Sequence, residues 1–155
     1  MKHKWQKFHC LPRTDQWLLF QAMLLLPLVA LTLRLGGFNR TQAILSRLTS
    51  PSPSSQAPAP NVTLQAKRIA HLVRLAARHS FIHANCLHQS LALWWLLRRR
   101  NIDSQLRIGV RKIEHRLEAH AWIELSGQVL NDSPDVNEHF APFHEPLDLA
   151  KTPIR

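Results

Sequence analysis

The sequence predicts an α+β fold in which helices pack on a small antiparallel sheet, with a helical appendage ahead of them. Three observations carry this. Apolar residues recur at helical spacing from Val62 to Arg100, they alternate at strand spacing from Leu106 to Leu125, and Gly127 separates that second strand from a third. A proline- and serine-rich stretch divides the 155 residues into an N-terminal helical segment, 1–49, a linker, 50–61, and a main domain, 62–155.

Residues 1–16 are basic and polar, whereas Trp17 to Leu33 is almost wholly apolar and ends at Arg34. The run contains Gln21 and Pro27 and falls short of the ~20 residues that a comfortable membrane span needs. No small-residue cleavage site follows it closely. A helix that joins the core or docks a partner is therefore expected first, a membrane contact through residues 17–33 second, and a cleaved signal last. Asp15 is placed to cap this helix, because a carboxylate there accepts from free backbone N–H groups. Gly36-Gly37 offers its stop, and a short second helix is expected over 39–48.

The formal charge of +10 favours acidic partners such as nucleic acid, an anionic membrane or an acidic peptide, and alone selects none of them. No nucleic-acid partner is expected, since basic strands interleaved with aromatics and known binding motifs are missing. Arg98-Arg99-Arg100 reads first as a solvated helix end that offsets the macrodipole. Cys10 and Cys86 lie in segments of different character, which suits free thiols in a reducing, cytoplasmic setting. Asn61-Val62-Thr63 fits a glycosylation acceptor, a pattern that is common by chance.

In the main domain, Ile69, Leu72, Val73 and Ala76 make one face of a helix from about Val62 to Arg78. After a loop, Leu87, Leu91, Trp94 and Trp95 make the buried face of a second helix ending near Arg100, where Asn101 can take the left-handed cap. Cys86 then stands in that helix's first turn. Unpaired N–H groups and the positive dipole end favour an anion there, and a thiolate is the attacking form of cysteine. The alternative is a small buried hydrophobe, the usual fate of a free cysteine.

Leu106, Ile108 and Val110 mark a first strand. In the second, about Glu118 to Leu125, His120, Trp122 and Glu124 share one face, while Ala121, Ile123 and Leu125 share the other. A third strand is expected over 128–132. A two-residue loop, Ser126-Gly127, would set His120 opposite Ser133; a three-residue loop, Leu125-Ser126-Gly127, would set it opposite Asp132. The second is preferred, because three-residue hairpins put a left-handed residue last, where Gly127 stands. Directly opposed residues have Cβ atoms ~4.5–5.5 Å apart, close enough for a carboxylate to accept from an imidazole. Cys86, His120 and Asp132 are thus candidates for nucleophile, base and orienter of an acyl-enzyme reaction. The Cys86 backbone N–H is a candidate oxyanion donor, with Asn85 and Gln89 as candidates for a second. Trp94 and Trp95 are expected in the core, and Trp122 as a shield over the histidine–aspartate pair.

A helix cysteine, a strand histidine and a next-strand aspartate resemble the transglutaminase-like, papain-like arrangement. Asn85-Cys86-Leu87, Ser90-Leu91-Ala92-Leu93, Leu96 to Arg100, Ile108-Gly109-Val110, Ala119 to Glu124 and Gly127 to Asp132 together resemble the lasso-peptide leader peptidases, in their stand-alone form. The stretch from Lys4-Trp5 to Leu33 is similar to the appendage of such members. The resemblance implies a cysteine peptidase that removes the leader from a ribosomal precursor peptide. It implies partners as well: that precursor, a small leader-binding protein, and the lasso cyclase that joins the freed amine to an acidic side chain. By motif position it assigns the catalytic roles to Cys86, His120 and Asp132, with no cofactor.

Two rival functions remain open. An amine acceptor in place of water would make the same triad an acyltransferase. A non-enzymatic basic binding protein would need no Cys86 at all. His79, His83 and the Cys86-Leu87-His88 stretch raise a metal reading, but HExxH and paired-cysteine motifs are missing and no metal is expected.

Overall fold

A computed structural model describes residues 12–48, 59–113 and 116–142. Three helices pack on one another, and the one that opens at Cys86 packs on a four-stranded antiparallel sheet. Helix α1, Arg13–Arg47, is broken at Gly37, whose φ of 70° and ψ of −177° suit glycine, so the chain turns where the double glycine predicts. The Thr41 hydroxyl donates to the freed Gly37 carbonyl at 2.9 Å. Asp15 is not the cap. It is buried within the first turn, where its Oδ2 accepts from Arg68 Nε at 2.8 Å, a cross-helix ion pair.

Helix α2, Pro60–His79, starts within the stretch that composition assigns to the linker. Proline at the first helical position gives up an N–H that would be unpaired anyway, and its φ is already helical. The remainder of that stretch, 50–58, lies outside the described residues. Helix α3, Cys86–Arg98, ends as Asn101 predicts, at φ 56°, with Ile102 N donating back to Leu97 O at 3.1 Å. The arginine run is less solvated than expected. Arg98 is buried, 5.3 Å from the Trp94 ring and 3.8 Å from Asp103, while Arg99 lies over Trp95.

Leu19, Ala22, Leu26 and Val29 of α1 share one buried cluster with Ile69 and Val73 of α2, Leu91 and Leu97 of α3, and Leu106, Ala121 and Ile123 of the sheet. The strands are β1, Gln105–Ile113, β2, Arg116–Leu125, β3, Gln128–Val129, and β4, Ala141–Pro142, in the order β3-β2-β1-β4. Both β1 and β2 run further than the alternation alone indicates. Gly109 opposes His120 on β2 and Pro142 on β4.

The β2–β3 connection corrects the expected turn. Leu125 pairs with Gln128 and Glu124 with Val129, so the loop is the two-residue Ser126-Gly127, with φ 49° and 80°. Two left-handed residues match the right-handed strand twist. Continued regularly, this register would set Ser133 against His120. The third strand instead stops at Val129, three residues earlier than expected.

Candidate active site

Cys86 opens α3, and its cap is reciprocal. Asn85 Oδ1 accepts from the His88 N–H at 3.1 Å, and His88 Nδ1 accepts from the Asn85 N–H at 3.1 Å. Histidine thus does what glutamate or glutamine does in the familiar capping box. Burial holds the His88 pKa below its ordinary 6.5, in keeping with an unprotonated, accepting Nδ1. The folded value lies below the unfolded one, so this contribution to stability is complete above about pH 6.5 and declines as pH falls below it. His88→Ala should cost about 1 kcal/mol, or about 3 °C in Tm. His88→Gln should restore the cap and abolish that acid decline, as thermal unfolding across pH would show.

His120 and Asp132 are in contact. Asp132 Oδ2 accepts from His120 Nε2–H, while Oδ1 accepts from the Ser133 N–H at 2.7 Å. The carboxylate is clamped from both sides, and His120 Nδ1 is left as the basic nitrogen. Ladder pairing does not produce this contact. Leu130 N still donates to Ile123 O at 2.9 Å, but the next bond is taken by a side chain: Asn131 Oδ1 accepts from the Ile123 N–H at 2.7 Å. The backbone is thereby free to bend, and Asp132 turns back to the histidine.

Asn131 also ties this bend to α3. Its Nδ2 donates to Ser90 Oγ at 2.9 Å, and the buried Ser90 hydroxyl donates to Ala121 O at 2.9 Å. Ser90 lies one helical turn after Cys86 on the same face of α3, and Ala121 follows His120. The chain Ser90–Asn131–Ile123 therefore references the helix that opens at Cys86, the strand of His120 and the bend of Asp132 to one another. The thiol itself makes no hydrogen bond among the described residues. His120 leaves the sheet on the Trp122 face, while α3 packs on the Ala121 face.

The imidazole has aromatic neighbours. Phe140 stacks on it with centroids 4.9 Å apart, and Trp122 lies at 6.2 Å. Trp122 is fully buried, and its Nε1 donates to Glu124 Oε1 at 2.9 Å. A Cβ at Gly109 would come within 2.8 Å of the Trp122 ring and 3.0 Å of the Phe140 Cβ, so glycine there makes room for both side chains. Burial pushes the Glu124 carboxyl up, but donors from Trp122, Asn137 and Arg107 outweigh it and hold the pKa below the ordinary carboxylate value.

Beside Cys86, a cleft of about 470 Å³ is lined by Arg74, Arg78, Phe81, His83, Asn85 and Gln89 among others. The Gln89 amide donates to Ala84 O at 2.9 Å. Neither arginine has an acidic partner among the described residues, so the cleft is electropositive. Among the described residues no three His, Cys, Asp or Glu side chains converge as a metal site.

A family model of the transglutaminase-like superfamily matches residues 25–145, from the middle of α1 to beyond β4. The chain belongs to the transglutaminase-like superfamily. As a member, it is similar to the microcin J25-processing protein McjB of Escherichia coli, with 40% identity over 62 residues. Those residues are 40% of this chain and 29% of McjB, so the alignment spans under a third of that relative. No solved structure matches. The transglutaminase-like match includes α3, the β1–β2 pair and the Asn131-Asp132 bend.

Sequence reasoning missed Phe140, the cap role of His88 and the bridge of Ser90 and Asn131. Both bridge residues lie inside the motif strings quoted above, but nothing in their spacing pairs positions 41 residues apart.

Proposed function

We propose that this chain is a cysteine peptidase that removes the leader from a ribosomally made lasso-peptide precursor. The observation that carries the reading is the clamped His120–Asp132 pair, referenced through Asn131 and Ser90 to the helix that begins at Cys86. Similarity to a microcin J25-processing protein supports the substrate class.

In this mechanism Cys86 and His120, which make no contact in the structure, are brought together when the peptide binds; His120 Nδ1 then takes the thiol proton, and Asp132 stabilises the imidazolium that results. The thiolate attacks the scissile carbonyl, and the Cys86 N–H at the open helix start donates to the oxyanion. His120 then protonates the leaving amine. The acyl-enzyme passes to water, which frees the leader and regenerates the thiol. The electropositive cleft beside Cys86 would hold the peptide, presented by a small leader-binding protein, and the freed amine would pass to the cyclase.

The test is incubation with a lasso-precursor peptide, with and without its leader-binding protein, read by mass spectrometry. A loss of leader mass by addition of water supports the reading. Transfer of the acyl group to an added labelled amine, with no free leader acid, would make the protein an acyltransferase instead.

Asn131 is a positioning residue in this scheme. Asn131→Ala leaves the Ile123 N–H unpaired and releases the bend that carries Asp132. A displacement of about 1 Å at the orienter is expected to lower kcat about 10²-fold, with KM little changed. Steady-state kinetics would separate this from a merely destabilised fold, which lowers the active fraction but not the pH profile of the remainder.

A further inference from the structure

Helix α1 has a second apolar face that the fold does not use. Its core side carries Leu19, Ala22, Leu26 and Val29. On the opposite side Trp17, Phe20, Leu24, Leu28, Leu31 and Leu35 follow one another at three- and four-residue steps, and each is 51% to 75% exposed. At the helical rise this is a continuous stripe of about 27 Å. Scattered exposed leucines need no explanation, but an unbroken stripe of this length does.

We propose that this stripe lies in the surface of an anionic membrane, with the helix parallel to the bilayer plane. The charge distribution selects this occupant. Between Arg13 and Arg34 the sole ionisable side chain is Asp15, and it is buried against Arg68. A helix that recognises another helix carries charges along the edges of its seam to fix register and partner. Here the edges are Leu18, Gln21, Met23 and Leu33. Basic residues stand at its ends instead, Arg13 one turn before Trp17 and Arg34 beside Leu35. Uncharged, partnerless apolar length with cationic ends suits hydrocarbon below and anionic headgroups around it.

By length and composition α1 could also cross a bilayer. Crossing would strip its other face from α2 and α3 and expose the Asp15–Arg68 pair to lipid, so the folded chain presents one face to each medium. The docked peptidase would act at the membrane surface, a consequence that rests on the reading above; the docking does not.

The test uses the full chain in flotation assays with vesicles of phosphatidylglycerol and phosphatidylethanolamine, against phosphatidylcholine alone. Binding to the anionic vesicles is expected, weakening with salt. A Leu24→Gln, Leu28→Gln, Leu31→Gln variant should lower the bound fraction about tenfold. Circular dichroism and thermal unfolding should match wild type, because these side chains leave the core untouched. No flotation with anionic vesicles would overturn the proposal. So would a dimer, or a complex with the leader-binding protein, that the triple variant abolishes in the absence of vesicle binding. Cleavage of precursor in solution is read separately, so failure of docking and failure of the peptidase reading remain distinguishable.

Discussion

Cys86→Ala is expected to fold like the wild-type chain and to leave the precursor uncut. Alanine is a good helix former at the first turn, and the cap formed by Asn85 and His88 does not involve the sulfur. The acyl-enzyme route then has no nucleophile, and the loss of turnover can reach the order of 10⁶-fold where nucleophile and base act as a unit. Mass spectrometry of the precursor, beside a thermal unfolding curve, checks both halves. Undiminished cleavage by a folded Cys86→Ala protein would show that Cys86 is not the nucleophile, whereas an uncut precursor with the wild-type chain would favour a basic binding protein.

Asp132→Asn is the second large effect. The amide has nearly the same shape, and its oxygen can still accept from the Ser133 N–H. Its NH₂ would then face His120 Nε2 and donate, which moves the ring proton to Nδ1. That is the nitrogen the mechanism needs free. A fall in kcat of about 10³- to 10⁴-fold is expected, with a smaller change in KM. Single-turnover kinetics would read it, and retention of wild-type rate would show that Asp132 does not set the tautomer.

Much of this architecture is legible in the sequence because its signals are local. The 3.6-residue period of α2 and α3, the alternation in β1 and β2, the double-glycine break and the left-handed Asn101 each depend on neighbours within a few positions. What escaped depends on partners far along the chain. Asp15 looks like a cap until Arg68 arrives from 53 residues away. Arg98 looks like a solvated charge until Trp94 and Asp103 enclose it. Phe140 follows a four-residue helix, α4, Val136–His139, too short to show a period.

The meeting of His120 with Asp132 was anticipated for the wrong reason. Turn statistics favoured the loop that opposes the two residues directly. The real turn is one residue shorter, and a side-chain amide closes the difference. Hydrophobic alternation cannot reveal that an asparagine will stand in for a backbone carbonyl.

Glu124 sets an acid boundary for the same sheet. Its folded pKa is held below the ordinary value, so its contribution is present above about pH 4.5 and is lost as pH falls through the folded value. Glu124→Gln should lower the Tm near neutrality and flatten its dependence on pH in the acid range.

The asparagine that replaces a ladder carbonyl makes the segment from Ser126 to Asp132 behave as a ruler. Outside Asn131 and Asp132 its chemistry can drift, since Ser126, for one, asks only for a residue that tolerates positive φ. Its length cannot. One added or deleted residue would rotate the carboxylate away from the ring while leaving every helix in place, so natural variants of this chain should accumulate replacements before Asn131 but no indels.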